Sequence, residues 1–285
     1  MNELELIAHI QRKAKRARKE LIVGIGDDAA VYRVPGSKED LLFTTDLMVE
    51  GVHFLPSQKP GYVGAKALGR SLSDIAAMGG DPRFCLVSLA LPPGRKRFIE
   101  PFYEGLLEVA DRYRTVVAGG DLSQSAVITC DVMVCGSVAQ GSALLRNTAR
   151  AGDTIWVSGP LGRAASKKYK DLPSPRLDLA SKLRGRATAC MDVSDGLSID
   201  LHRLCLASGV SAELDEVPVF RGATLENALA GGEDYELVFT TRGSRAPRGC
   251  LKIGRISPGV PGLIFLSGKP VEVAGHDHFS SATLK

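Results

Sequence analysis

The chain has 285 residues, 44% of them hydrophobic and 24% charged, and its formal net charge at pH 7 is +4. These values are typical of water-soluble globular proteins and exclude fibrous and disordered classes, while the length fits two domains. The six cysteines include no Cys-x-x-Cys pair, and no apolar run approaches the roughly 18 residues needed to cross a bilayer. We therefore expect a cytoplasmic protein with reduced thiols, no disulfide or zinc scaffold and no membrane partner.

The first predicted element is an amphipathic helix that leads into a basic segment, residues 12–19. Apolar residues such as Leu4, Ile7 and Ile10 recur at helical spacing, which predicts one apolar and one polar face. A basic segment can also bind nucleic acid. We favour a solvated helix face and expect no nucleic-acid partner.

The first half of the chain then alternates short apolar runs with longer helical patterns. Apolar runs on both sides of Pro35–Gly36 predict strands at 29–32 and 41–45. Small and apolar residues at helical spacing predict a helix over 62–78. The remaining predicted elements are a strand at 84–91, a helix at 98–113 and strands at 115–118 and 126–138. This half is predicted to form a mixed sheet with helices.

A second unit is predicted to begin near Gly152–Asp153, where a new strand over 154–158 precedes a glycine-rich turn. The segment 167–186 is polar, basic and proline-bearing, which indicates a surface connection or a short helix. Further predicted elements are strands at 187–192, 236–240 and 251–256 and helices at 197–207 and 225–229. We therefore predict a two-domain α/β (α+β) protein, with an N-terminal domain over 1–145 and a C-terminal α/β domain over 146–285.

Acidic residues recur beside glycine, serine or threonine at the ends of predicted apolar elements. Four of them, Asp28, Asp46, Asp74 and Asp121, lie in the first half. Carboxylates repel a phosphate, but several of them can share Mg²⁺ ions with phosphate oxygens, because Mg²⁺ prefers oxygen ligands. The recurrence therefore predicts Mg²⁺ and a polyphosphate such as a nucleotide in one shared site.

The common motifs for other chemistries are missing. The sequence has neither a Walker-type nor a kinase-type glycine-rich loop, no Gly-x-Ser-x-Gly elbow and no His-Glu-x-x-His spacing. His53 follows closely on Asp46 and could contact a substrate, although an isolated histidine is more often structural. The binding of any nucleotide must therefore depend more strongly on Mg²⁺. Hydrolase chemistry has no support in the sequence.

Taken in order, the acid-bearing motifs resemble those of the thiamine-monophosphate kinase family. The matching segments cover most of the chain and are Gly24–Ala30, Thr44–Phe54, Ser71–Gly79, Gly119–Asp121, Asp192–Leu197 and Gly231–Leu237. Each segment is a weak signal alone, whereas the ordered set is highly specific. The wider superfamily of aminoimidazole ribonucleotide synthetase shares only part of it.

The resemblance implies ATP-dependent phosphorylation of thiamine monophosphate to thiamine diphosphate. It also implies a homodimer whose N-terminal domains pair and whose C-terminal domain completes the site. The implied Mg²⁺ ligands are Asp28, Thr44, Thr45, Asp46, Asp74, Asp121, Asp192 and Asp195. The implied ATP contacts are Tyr103, Gly120, Arg146 and Ser194, and the implied substrate contacts are His53, Glu233 and His276.

Such a transfer needs no catalytic side chain. The phosphate of thiamine monophosphate has a second pKa of about 6, so it is largely dianionic at neutral pH and attacks without a general base. The main obstacle is repulsion between phosphate oxygens, which several Mg²⁺ ions relieve. We therefore expect metal-assisted phosphoryl transfer.

Two departures from the family pattern lie in the substrate half. The segment 162–186 is shorter and more basic than the family pattern, and His276 stands where family members usually have an aromatic residue with a larger stacking area. Two alternatives stay open: a superfamily synthetase that activates an amide, and a regulator that binds Mg–ATP without transfer. Selenophosphate synthetase and the hydrogenase-maturation relative fit less well, because the first cysteine is Cys85 and the chain ends without one.

Overall fold

The computed structural model describes residues 3–14, 18–276 and 279. Helix α1 (Glu3–Lys13) has no buried residue, and the basic side chains of Arg12 and Lys13 are exposed, in agreement with the predicted solvated face. Residues 15–17 of the basic segment lie outside the described residues. None of the helices in the described ranges combines the length and apolarity that a bilayer crossing requires.

The first of two sheets has six strands and is covered by helices on one face. The strands are β1 (Leu21–Val23), β2 (Ala30–Arg33), β3 (Glu39–Val49), β4 (Asp81–Leu91), β5 (Val116–Gln124) and β6 (Thr129–Ala139). Their order is β1-β2-β3-β6-β4-β5, and neighbouring strands are antiparallel except for the parallel pair β4 and β5. Helices α2 (Pro60–Ala77) and α3 (Ile99–Arg112) pack on the sheet to form a core. The predicted mixed sheet with helices is confirmed.

Two strands of this sheet run several residues past their predicted C-terminal ends. β3 and β5 continue past residues 45 and 118, so Asp46 and Asp121 lie within strands and not at their ends. The cause is pairing, because β6 stays in register with β3 over its full length and β4 continues beside β5. At Gly120 a Cβ atom would lie 1.8 Å from the carbonyl oxygen of Val87, so this pairing requires glycine.

The backbones of helices α2 and α3 are in direct contact where the two helices cross. A Cβ atom added to Gly64 would lie 1.9 Å from the carbonyl oxygen of Phe102, and one added to Gly105 would lie 1.9 Å from that of Gly61. The two glycines therefore allow a separation that no larger residue permits.

The second sheet has seven strands. They are β7 (Thr154–Val157), β8 (Ala187–Val193), β9 (Ser211–Leu214), β10 (Glu236–Thr241), β11 (Leu251–Ser257), β12 (Ile264–Leu266) and β13 (Lys269–Pro270), in the order β13-β12-β9-β11-β7-β10-β8. Its helices are α4 (Arg163–Ser166), α5 (Leu177–Leu183), α6 (Leu197–Ser208) and α7 (Leu225–Ala230). The predicted connection over 167–186 thus contains one short helix, and the α/β class is confirmed.

Helix α2 joins the two sheets. Ala76 and Ala77 at its C-terminal end belong to one buried apolar cluster with Trp156 and Phe239 of the second sheet. This packing fixes the orientation of α2, so that the polar side chains of the helix are held against the second half of the chain. The two sheets are separated in sequence by 140–153, and we retain 1–145 and 146–285 as proposed domains.

Candidate active site

A cavity of approximately 550 Å³ lies between the two halves of the chain. Helix α2 contributes Lys66, Arg70 and Asp74, which are spaced four residues apart and therefore share one face. The prediction from sequence included only Asp74, although polar residues at helical spacing in a helix of small and apolar residues could have identified the other two. The remaining predicted residues that line the cavity are Asp46, His53, Asp192, Ser194, Asp195, Glu233 and His276.

Three carboxylates from distant parts of the sequence meet beside α2. Oxygen atoms of Asp28, Asp74 and Asp192 all lie within 4.8 Å of one another. Thr44 Oγ1 donates a hydrogen bond to Asp74, and Ser73 Oγ donates one to Asp192 Oδ2 at 2.6 Å. The predicted ligands Asp28, Thr44, Asp74 and Asp192 are therefore brought together.

The electrostatics of this cluster favour a bound cation. Burial raises the pKa of Asp74 well above its ordinary value, and the nearby carboxylates of Asp46 and Asp192 raise it further. Burial likewise raises the pKa of Asp192 well above its ordinary value, followed by the effect of Asp28. Asp28 Oδ2 is buried without a hydrogen-bond partner in the described chain. Several acidic oxygens and an orphaned acceptor fit a hard divalent cation.

Arginine side chains supply positive charge around the cluster. Arg146 Nη2 lies 2.5 Å from Asp28 Oδ1, and its backbone N–H donates to Asp27 Oδ2 at 3.2 Å. Arg70 Nη2 lies 3.3 Å from Asp46 Oδ1. Of these two arginines, the sequence prediction included only Arg146. Guanidinium groups at this place can also bind phosphate oxygens.

A second group of side chains contains a buried cation. Lys66 Nζ donates to the Glu233 carboxylate at 2.8 Å and to the carbonyl oxygen of His53 at 2.9 Å. Burial lowers the pKa of Lys66, whereas Glu233 opposes that effect. The backbone N–H of Val49 donates to His53 Nδ1 at 3.0 Å, so the ring proton of the neutral imidazole lies on Nε2.

The loop that carries Glu233 is held in an uncommon backbone conformation. Glu233 and Tyr235 have φ angles of 58° and 50°, in the left-handed region. Their N–H groups donate to the carbonyl oxygens of Ser194 and Val193 at 2.7 and 2.9 Å. Such strain persists only where surrounding contacts fix it, and it is common at functional sites.

The loop before α6 is ordered by a buried aspartate. The backbone N–H groups of Ser194, Asp195 and Gly196 all donate to Asp200 Oδ2, at 3.1, 3.0 and 3.1 Å. Arg203 Nη1 lies 2.5 Å from Asp195 Oδ2 and 2.9 Å from Asp200 Oδ1. The sequence prediction included neither Asp200 nor Arg203. The only signal for them in the sequence is their spacing of three residues along α6, which allows the two side chains to form an ion pair. These contacts position Ser194 and Asp195 at the cavity wall.

The remaining predicted residues lie away from this cavity within a single chain. Thr45 points to the face of β3 opposite Thr44 and donates to Asp131 Oδ1 at 2.6 Å, because successive strand residues face opposite sides. Asp121 is exposed. It pairs with Ser88 of β4, which in turn pairs with Asp131 of β6, so Asp121 and Asp131 lie on the same outer face of the sheet. Gly120 lies in β5 beside Asp121, and Tyr103 packs edge-on against Phe102 on α3, with ring centroids 5.5 Å apart.

Comparisons with known proteins agree with this arrangement. Residues 26–138 match the N-terminal domain of AIR synthase related proteins. The chain is 34% identical to thiamine-monophosphate kinase from Salmonella typhimurium over 98% of both chains. It is 35% identical to thiamine-monophosphate kinase from Aquifex aeolicus over 90% of this chain and 92% of the relative.

Solved structures also match the whole fold, as the following example shows. The structure of AaThiL complexed with AMPPCP and TMP is 34% identical, has a TM-score of 0.86 and covers 98% of this chain and 97% of that chain. The two-sheet architecture is thus shared with a protein that binds an ATP analogue and TMP.

Proposed function

This chain belongs to the thiamine-monophosphate kinase family, and from that premise we propose that it transfers the γ-phosphoryl group of ATP to thiamine monophosphate. The product is thiamine diphosphate, and ATP is the co-substrate. We also propose a cytoplasmic location, since the reaction consumes ATP and the six cysteines are free thiols.

The observation that carries this proposal is the buried cluster of Asp28, Asp74 and Asp192. Asp74 and Asp192 line the same cavity as His53 and Glu233, so a metal-held donor and an acceptor could meet there. The cluster has the oxygen donors that Mg²⁺ prefers. When bound, Mg²⁺ supplies the positive charge that neutralises phosphate oxygens and aligns donor with acceptor.

The proposed Mg²⁺ ligands divide into two groups. Those at or near the cavity are Asp28, Thr44, Asp46, Asp74, Asp192 and Asp195. Thr45 and Asp121 lie on the outer sheet face, and we propose that they act in the assembled dimer.

The chain's own residues bind and orient the two substrates. We propose that Arg146 and Ser194 contact ATP, with the Arg146 guanidinium placed to bind phosphate oxygens. Glu233 faces the cationic thiazolium or the aminopyrimidine of the acceptor, and His53 and His276 contact the same substrate. The acceptor phosphate is already dianionic, so no side chain has to remove a proton.

We propose a homodimer formed through the outer face of the first sheet. Leu47, Leu86 and Val116 are 52%, 37% and 62% exposed, although apolar residues on a sheet face are normally covered. β5 is also an edge strand, and open edges favour pairing. Pairing there would cover Gly120 and Asp121, and we propose that it also brings Tyr103 into the nucleotide site.

The direct test is product formation. Purified protein is incubated with Mg²⁺, ATP and thiamine monophosphate, and thiamine diphosphate is measured by chromatography. We expect stoichiometric ADP and thiamine diphosphate, and no thiamine diphosphate when thiamine replaces the monophosphate. Absence of product at every Mg²⁺ concentration would refute the kinase proposal.

A further inference from the structure

One aromatic ring in the cavity wall is open to a ligand. Of the phenylalanine and tyrosine residues that line this cavity in the described chain, Tyr169 is 42% exposed, whereas Phe54 and Tyr235 are each 4% exposed. Tyr169 lies in the short connection between α4 and α5. A flat, partly charged acceptor gains most from a ring whose face is accessible.

Tyr169 is held through both its side chain and its backbone. Its Oη donates to the carbonyl oxygen of Gly231 at 2.8 Å, and its backbone N–H donates to that of Ala164 at 2.7 Å. Its own carbonyl oxygen accepts a hydrogen bond from Tyr62 Oη at 2.9 Å. Since Gly231 is two residues before Glu233, these contacts tie the ring to the loop that carries the proposed acceptor contact.

The backbone at this point is strained. Lys168 and Tyr169 are consecutive non-glycine residues with φ angles of 55° and 56°. L-residues rarely adopt this conformation in succession, and it persists only where other contacts fix it. Both residues line the cavity, so the turn directs the connection toward the site.

We propose that Tyr169 is the residue that recognises the ring system of the acceptor, by packing its face on the thiazolium or the aminopyrimidine. The inference rests on the proposed kinase function and deepens it. A tyrosine face attracts a cation such as thiazolium. Burial raises the pKa of Tyr169, and the nearby carboxylate of Glu233 raises it further. The connection thus supplies stacking area beside the smaller ring of His276.

Three variants separate the ring from its hydrogen bond. Thiamine monophosphate affinity is measured by calorimetry without nucleotide, and KM for both substrates is measured in turnover. We expect Tyr169→Leu to weaken thiamine monophosphate binding about tenfold with an unchanged KM for ATP. Tyr169→Phe retains the ring and should stay within about twofold of wild type. Tyr169→Trp should bind the acceptor with quenching of the new indole fluorescence.

Leu172→Ala is the matched control, because Leu172 is an exposed residue of the same connection that does not line the cavity. It should bind like wild type, and thermal unfolding checks the fold of each variant. Equal losses in Tyr169→Phe and Tyr169→Leu, an effect of Leu172→Ala as large as theirs, or unquenched fluorescence in Tyr169→Trp would overturn the inference. If wild type forms product and Tyr169→Leu binds normally, only this inference fails. If wild type forms no product, the kinase proposal fails.

Discussion

Lys66 illustrates how a single buried residue can organise a substrate pocket. Its side chain is 3% exposed, and it contacts Glu233 from the second half of the chain and His53 from the first. A buried ammonium group is stable only when it is paired and hydrogen-bonded. The residue therefore holds the two proposed acceptor contacts at a fixed separation.

We predict that Lys66→Met impairs acceptor binding more than ATP binding. Loss of a charge-assisted hydrogen bond of about 2 kcal/mol corresponds to a roughly thirtyfold higher KM for thiamine monophosphate, because Glu233 is no longer positioned. Steady-state kinetics with each substrate varied in turn provide the measurement. Lys66→Arg, which keeps the charge, should retain part of the affinity; equal increases in both KM values would contradict this role.

We predict that Asp74→Asn stabilises the metal-free protein and removes its response to Mg²⁺. The substitution deletes one of several buried, mutually repelling carboxylates, so the melting temperature in EDTA should rise by about 3 °C. The added stability from Mg²⁺ should be largely lost, because a ligand is missing. Thermal unfolding with EDTA and with Mg²⁺ provides the measurement.

Asp111→Asn on the exposed side of α3 is the matched control for this prediction. It should change neither the melting temperature nor the Mg²⁺ response. A lower melting temperature of Asp74→Asn in EDTA would show that the carboxylate is stabilising without metal, contrary to our interpretation.

At the level of elements, α2 determines the geometry of the site. One face carries Lys66, Arg70 and Asp74, and its glycines let the helix lie directly on α3. The periodicity of small and apolar residues was sufficient to predict this helix. The contact that makes glycine necessary at Gly64 is with α3, which is distant in sequence, so no local pattern could reveal it.

We predict that Gly64→Ala destabilises the protein by at least about 2 kcal/mol. The new Cβ would lie 1.9 Å from a backbone oxygen of Phe102, so the helices must separate and core contacts are lost. Urea unfolding measures the change. Gly24→Ala is the control, since its Cβ would meet only Leu21 Cδ2 at 3.6 Å. Similar free energies of unfolding for the two variants would contradict the close helix crossing.

At the level of the whole molecule, the first sheet has an apolar outer face that also carries Thr45, Asp121 and Asp131. We predict that Leu86→Glu converts the proposed dimer to monomers and abolishes turnover, because a charge would be buried in the proposed interface. Light scattering after size-exclusion chromatography measures the mass. Leu206→Glu, at an exposed leucine of α6, should remain dimeric and active. A dimeric, active Leu86→Glu protein would exclude this face as the interface.

Much of the architecture followed from local patterns, because turn residues and apolar periodicity report the backbone directly. The class and most of the longer elements were predicted in this way, whereas the short elements β1, α4, β9, β12 and β13 were not. The ends of β3 and β5 were not, since a strand continues wherever a neighbour offers hydrogen bonds. Asp46 and Asp121 were accordingly expected at strand ends and lie inside strands.

The sequence by itself determined the residue types of the site, because oxygen donors repeated beside small residues have few uses other than holding cations and phosphates. Tertiary structure alone decided which of them meet. It brings Asp28, Asp74 and Asp192 together, turns Thr45 to the opposite face from Thr44, and adds Lys66 and Tyr169 at the proposed acceptor pocket. The physical reason is that alternation along a strand and packing between sheets set the direction of each side chain, and both depend on residues far apart in the sequence.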